Sequence, residues 1–365
     1  IEFMPGASSA LYGANAYSGI MFINSKTPFF YKGLSAQLKT GFTSNEGDDA
    51  NLYSGLSVRY AQKINDKLAY KFVIEKIDGV DWKRDDQSAP NFSGVENPFM
   101  QINSYGDEIG TIFFDVPIFR TGYKDSDLLD YSISNQKFST TLEYSLSSDI
   151  IFSYAYRNAT GTSNFQGTSI YSFKDLNGQY NQFKLKGPNF QIQANTFTEN
   201  GGDSYNVSFA AINLNRSFKN DLSWIYDYYA AFSGGLFEDF GVIANDHVAA
   251  RHYADYGVSL PNGELMISTP GNPYADTDPS QRLEPGTSEF KNALETVIKT
   301  KNIATGAGFI TESKIHDLDG YYEFEEKLGF DNILLGGSYK MYRPITNGTI
   351  FSDSDDIVNS NGEIE

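Results

Sequence analysis

Apolar and polar residues alternate along much of this chain with a period of two. That pattern predicts strands whose two faces meet different surroundings. In 33–43, Leu34, Ala36, Leu38, Thr40 and Phe42 alternate with Ser35, Gln37, Lys39 and Gly41. In 51–63, Leu52, Leu56, Val58 and Tyr60 oppose Ser57, Arg59 and Ala61. In 67–77, Leu68, Tyr70, Phe72 and Ile74 oppose Ala69, Lys71, Val73 and Glu75. The run 136–146 sets Phe138, Leu142, Tyr144 and Leu146 against Lys137, Ser139, Glu143 and Ser145. Further strands are predicted at 149–158, 180–187, 189–198, 314–325 and 331–342, nine in all.

The spacing of these strands sharpens the picture. Short turns are predicted at 63–67, 147–148, 187–189 and 326–330, and the intervening connections are long, above all 78–135 and 199–313. The stretch 159–179 also reads as a loop. Short turns at one end and long loops at the other is the habit of outer-membrane barrels, and a soluble sandwich has no reason to sort its loops this way. In a wide barrel the apolar face meets lipid, and Lys71, Glu75, Lys137, Glu143 and Arg157 point inward. In a soluble sheet the same charges form a solvated outer face.

The long loops carry helical signals. In 286–302, Thr287 or Ser288 caps a run with Phe290, Ala293, Leu294, Val297 and Ile298 on one face. A second helix is predicted at 246–256, between a cap at Asn245 or Asp246 and a stop at Gly257. A third is predicted over 205–218. Between Val80 and Ser134 there are ten acidic residues and four basic ones. Loops this long are usually functional.

Composition agrees with a membrane barrel and excludes several other classes. The chain of 365 residues holds 28 Phe, 25 Tyr and 2 Trp, and its net charge is -18. That balance argues against a nucleic-acid partner, which needs a basic footprint. There is no cysteine, hence no disulfide or thiolate metal site. Mean hydropathy is −0.39, and no run approaches the roughly 18 apolar residues of a membrane helix. The chain opens in mid-motif without a signal peptide, which reads as an internal fragment of a longer exported protein.

The search for catalytic or metal chemistry finds little. His247 and His252 are spaced too far apart to share a helical face, and His316 is remote in sequence. There is no zinc-hydrolase, phosphate-loop or nucleophile-elbow motif. The acidic runs Glu46-Gly47-Asp48-Asp49, Asp276-Thr277-Asp278 and Asp353-Ser354-Asp355-Asp356 offer carboxylates to calcium but match no calcium-loop spacing, and solvated loops explain them equally. The loop aromatics Trp82, Phe92, Phe99, Tyr105, Tyr123 and Trp224 suit either ligand stacking or packing of the loops. No enzyme activity, cofactor or metal is expected.

The first 28 residues carry the most specific motif. Gly6, a run of small residues, Leu11-Tyr12-Gly13-Ala14-Asn15-Ala16, Gly19 and the apolar run Ile20–Ile23 closing on Lys26-Thr27 resemble the end of the plug domain of TonB-dependent outer-membrane receptors. The glycines permit tight turns and the small residues close backbone packing. Such features also occur in an ordinary turn and strand. Further on, 61–71, Asp81-Trp82, Tyr105-Gly106-Asp107-Glu108, Arg120-Thr121-Gly122-Tyr123 and 127–131 resemble the early barrel of the large receptors with a carboxypeptidase-like regulatory domain.

That resemblance implies an all-β fold: residues 1–30 the C-terminal part of a plug, residues 31–365 the N-terminal part of a transmembrane antiparallel barrel. The whole protein would then have about 22 strands around a plugged lumen. It implies energy-coupled import of a nutrient, either an oligosaccharide, a peptide or a metal chelate, across the outer membrane of a Gram-negative bacterium. The implied partners are the TonB–ExbB–ExbD inner-membrane complex, outer-membrane lipid and a surface substrate-binding lipoprotein, with no nucleic acid. Gly6, Leu11, Tyr12, Gly13, Asn15 and Gly19 become the structural or gating candidates. The alternative is a non-transporting surface-binding protein or adhesin.

Overall fold

The computed structural model describes residues 1–6, 18–44, 50–88, 91–92, 95–96, 101–113, 116–167, 169–234, 244–325 and 332–350. Nine long strands dominate it. They are β1 (Gly33–Thr43), β2 (Asn51–Lys63), β3 (Leu68–Val80), β4 (Ser132–Ser145), β5 (Ile151–Gln166), β6 (Ile170–Lys186), β7 (Phe190–Asn200), β8 (Lys314–Glu325) and β9 (Asn332–Arg343). They form one antiparallel sheet in strictly sequential order, and Tyr205–Asn206 adds a short tenth strand off that path. Among the described residues the sheet is open, with β1 and β9 at its edges, and no closed barrel is seen.

The tight turns have local causes. After β2, the Asn65 side chain accepts hydrogen bonds from Lys67 N and Leu68 N, both at 2.9 Å, an Asx turn that reverses the chain. Between β6 and β7, Gly187 N donates to Phe190 O at 2.9 Å. The turn expected at 326–330 lies outside the described residues.

Burial in the sheet is inverted relative to a protein folded in water. Directly paired residues share a face, so register defines each face row by row. One row runs Gln62, Tyr70, Leu142, Tyr154, Phe183, Ala194, Leu318 and Tyr339. The adjacent row, on the opposite face, runs Ala61, Lys71, Thr141, Ala155, Gln182, Asn195, Asp317 and Lys340. On the first face Leu38 is 75 % exposed; on the second, Lys71 is 3 % exposed. The second face thus buries Lys71 and Asn195, while the first displays leucine, phenylalanine and tyrosine outward.

One expected loop is instead strand. The stretch 159–179 continues β5 and β6 as a long antiparallel pair, at whose end Gly167 N donates to Ser169 O at 2.9 Å. Alternation is invisible there because Asn158-Ala159-Thr160-Gly161-Thr162-Ser163-Asn164 is small or polar on both faces. A bulge also interrupts the ladder between Gly161 and Ser163, where Asp175 has φ 57°. Beyond the bulge, β6 no longer pairs with β7, and Tyr171 and Ser172 pair instead with Asn206 and Tyr205.

This extended hairpin carries a compact head built from both long connections. Within 81–131 lie short strand pairs and the helix α1 (Asp125–Leu128). Within 201–313 lie α2 (Val207–Phe218), α3 (Asp221–Ser233), α4 (His247–Tyr256) and α5 (Ser288–Lys299). The expected helices at 205–218, 246–256 and 286–302 are all present. Asp246 accepts from Val248 N and Ala249 N, Thr287 accepts from Phe290 N, and Gly257 ends α4 at φ 71°. The sequence reading missed α3. Its run Asp221-Leu222-Ser223-Trp224-Ile225-Tyr226 is rich in residues of weak helix propensity, and packing of Trp224 and Tyr228 decides its conformation. One apolar cluster joins α1, α2 and α5, and a second joins α3 and α4.

The head meets the sheet at Gly202. Its φ is +59°, and a Cβ there would approach Lys174 O to 2.4 Å and Asp175 O to 2.6 Å, both in the bulge. No other residue fits both constraints. Gly202→Ala is expected to cost on the order of 3 kcal/mol, since it combines an unfavourable φ with a backbone clash. Gly263 has φ +83° with open space around it, so Gly263→Ala should cost only about 1 kcal/mol. Thermal unfolding of both variants in detergent checks the difference; equal losses would contradict a tight junction.

Candidate functional site

The shielded face of the sheet gathers polar chemistry and holds a strap of chain against itself. The strap, 25–31, follows an antiparallel pair formed by Glu2–Pro5 and Gly19–Phe22. Lys71 Nζ donates to Ser25 Oγ at 2.6 Å and to Lys26 O at 2.8 Å. Thr27 Oγ1 donates to the Glu143 carboxylate. Arg59 donates to Tyr31 O at 2.6 Å. Three neighbouring strands thus hold the strap: β2 through Arg59, β3 through Lys71 and β4 through Glu143. Charged hydrogen bonds of this kind are stronger than neutral ones, and burial of Lys71 strengthens its own bonds further.

Away from the strap, the same face carries a paired polar array. Glu75 and Lys137 lie 3.8 Å apart, and the Arg157 guanidinium stands 5.0 Å from the Tyr180 ring centre. Tyr180 donates its hydroxyl to Asn195 at 2.7 Å, Asn195 donates to Asp317 at 2.8 Å, and Gln193 donates to Asp319 at 2.8 Å. A hollow of about 570 Å³ opens over Lys137, Arg157, Tyr180, Phe197 and Glu199. Its size suits a small ligand. Its charges are largely neutralised by one another, so it offers hydrogen bonds without a strong net field.

The sequence expectations map onto this face unevenly. Lys71, Glu75, Lys137, Glu143 and Arg157, expected on one face, are brought together there. Of the motif glycines, Gly6 N donates to Ser18 O at 3.3 Å at the open end of the Glu2–Pro5/Gly19–Phe22 pair, and Gly19 closes the same end opposite Pro5. Leu11, Tyr12, Gly13 and Asn15 lie outside the described residues. The strap contacts of Ser25, Thr27 and Tyr31 were not anticipated. Their only sequence signal is position, just after the motif and before the first long strand.

Chemistry in the head is structural. Lys219 and Asp227 pair at 2.9 Å with both side chains 0 % exposed. Lys219 Nζ also donates to Ala254 O and Ile267 O, each at 2.8 Å, so all three of its protons are used. Burial pulls the Lys219 ammonium below the usual lysine range, and Asp227 opposes that pull. Arg120 bonds Asp221 at 2.7 Å, Lys219 O at 2.8 Å and Asn215 O at 2.9 Å, with Phe218 and Trp224 beside its guanidinium. These contacts knit 101–131 to α2, α3 and α4.

The histidines and acidic runs hold no metal constellation among the described residues. His247 bonds the Tyr228 hydroxyl at 2.6 Å, and Asp276 accepts from Asn220 N and Nδ2. The runs at 46–49 and 353–356 lie outside the described residues. Of the loop aromatics, Tyr123 and Trp224 are buried and pack the head, Tyr105 is half-buried, and Trp82 is exposed. The side chains of Phe92 and Phe99 lie outside the described residues.

No family model matches this chain, and neither does any curated protein. Among solved structures it is similar to a mutant of the ferric enterobactin receptor of Pseudomonas aeruginosa, at 11% identity and a TM-score of 0.39. That match covers 93% of this chain and 35% of the receptor. It is also similar to the siderophore receptor PiuA of Acinetobacter baumannii, at 7% identity and a TM-score of 0.25, over 86% of this chain and 42% of that one. The chain thus spans less than half the length of either. At these TM-scores neither likeness establishes a shared fold.

One buried acid in the head is poised to titrate. Burial and the neighbouring Glu108 push the Asp107 carboxyl up to about 6 from its ordinary 3.8. A raised acid is stabilising when protonated, so the folded head binds an extra proton between the two values. Stability should therefore fall as pH rises from about 4 to 6, by at most about 3 kcal/mol from this group. Asp107→Asn should match the wild type below about pH 4 and exceed it at pH 8 in thermal unfolding. A constant difference between the two proteins across this range would refute the assignment.

Proposed function

We propose that this chain is part of a TonB-dependent outer-membrane importer, with 1–30 from its plug and 31–365 from its barrel wall. The observation that carries this reading is the inverted sheet with a strap bound to its polar face. Exposed apolar area is unfavourable in water by about 25 cal/mol per Å², so a face lined by Leu38, Leu142 and Phe183 calls for an apolar solvent. Hydrocarbon supplies one, and antiparallel strands can cross it only as a closed barrel, since every backbone group needs a partner. On this reading β1 and β9 pair with further strands of the whole protein.

The polar face then borders the passage, and Lys71 and Glu143 tie the end of the plug to the wall, with Arg59 holding Tyr31 at the junction. An energy-coupled pull on the plug, delivered by the TonB–ExbB–ExbD complex, would have to break these bonds. The head forms an extracellular cover, beside which a substrate-binding lipoprotein can sit. The cargo is a nutrient too large for simple pores: an oligosaccharide, a peptide or a metal chelate. The function proposed is transport, without catalysis.

Two measurements test this reading on the full-length protein. Single cysteines at Leu38 and Leu142 are expected to react with a lipid-soluble probe, while one at Glu143 reacts only with a water-soluble probe. Equal lipid access at Leu142 and Glu143 would contradict the orientation. Whole cells are expected to accumulate one cargo class only while the proton gradient is intact. Binding without gradient-dependent uptake would favour the surface-binding or adhesin reading.

A further inference from the structure

One register row crosses the hollow on the polar face: Glu75, Lys137, Ala159, Gly178 and Glu199, one residue from each of β3 to β7. Charges stand at both ends of this row, and its middle is nearly bare. Ala159 is exposed, and a Cβ at Gly178 would meet Phe197 Cε2 at 3.3 Å, so the Phe197 ring lies over the glycine. Neighbouring strands lie about 4.8 Å apart, which separates the Lys137 and Glu199 backbones by about 14 Å. Both ends keep the capacity to bind. Lys137 and Glu75 lie 3.8 Å apart, beyond hydrogen-bond distance, with side chains 54 % and 35 % exposed. Thr311 donates to Glu199 at 3.0 Å, and a carboxylate can accept about four such bonds. Along β3 the row lies beyond Lys71 on the side of the head, about 13 Å from the strap.

A ligand complementary to this row carries a carboxylate at one end, an ammonium at the other and a slim middle. A neutral saccharide lacks both charges, and an anionic chelate lacks the ammonium. An extended peptide with an acidic and a basic residue two positions apart has all three features. Its two Cα atoms are about 7 Å apart, and the side chains span the rest of the distance. Its backbone then passes over Ala159, Gly178 and the Phe197 ring. The Asn135 amide, which also lines the hollow, offers a donor and an acceptor to a peptide group. We propose that this hollow binds an extended peptide through its opposite charges, with a carboxylate on Lys137 and an ammonium on Glu199. The inference rests on the reading of the polar face as the border of the passage, and it narrows the three cargo classes to peptide.

The test is calorimetric titration of the full-length protein in detergent with a capped heptapeptide that holds lysine and glutamate on either side of one glycine. The same peptide with glutamine in place of its lysine or of its glutamate, a neutral gluco-oligosaccharide and a catecholate iron chelate serve as the other arms. The doubly charged peptide is expected to bind, and loss of either charge to weaken it about tenfold. Glu199→Gln should weaken the parent peptide by a similar factor and leave the peptide without lysine unchanged. Lys137→Gln should do the same for the peptide without glutamate. A misfolded variant would weaken every peptide alike, and an unchanged thermal transition verifies the fold. No binding of the charged peptide, tighter binding of the saccharide or the chelate, or equal weakening of all peptides by Glu199→Gln in a folded variant overturns the proposal. Gradient-dependent uptake of a saccharide or chelate alongside such a result would sink this inference and leave the importer standing.

Discussion

The structure depends on one constraint: a sheet that buries Lys71 and Asn195 on one face and turns Leu38, Leu142 and Phe183 outward on the other. In water this arrangement is unfavourable twice over, through exposed apolar area and through desolvated charge. The second cost is offset locally. Lys71 finds Ser25 and the Lys26 carbonyl, and Glu143 finds Thr27. Asp317 and Asp319 find the amides of Asn195 and Gln193. The first cost has no such offset among the described residues. On the proposed reading the hydrocarbon of a membrane supplies it.

The head obeys the opposite rule. Its apolar side chains are inside, and its buried Lys219–Asp227 pair uses all three ammonium protons in hydrogen bonds. A buried pair of this kind adds little net stability over an apolar pair, but losing one partner is costly. The pairs therefore specify which loops meet, more than they hold the head together. Two folding regimes coexist in one chain, and the bulge at Asp175 with Gly202 against it is where one gives way to the other.

Most of the sheet was legible in the sequence because a period of two is hard to imitate by chance over ten residues. The boundaries of β1, β2 and β8 follow from alternation alone. The outer halves of β5 and β6 were not legible, since small and polar residues on both faces erase the period. Helices with a capping residue and an apolar stripe, α4 and α5, could be read, whereas α3 could not, because Trp224 and Tyr228 owe their conformation to partners distant in sequence. The polar face was legible as a set of residues. Its use was not: nothing in Ser25 or Thr27 announces that they bond Lys71 and Glu143.

The order of the strands has a consequence of its own. Among the described residues each long strand pairs with the long strands next to it in sequence, β6 adding only a short pairing with Tyr205–Asn206, so each hairpin brings its own register and none must be threaded between others. Such a wall can be laid down from one edge to the other, with each new pair of strands templated by the last. Loop closure stays short at every step except the two long connections. Those two are also where the head folds, so the slowest closures in assembly are the ones that a separately packed body can bring together in advance.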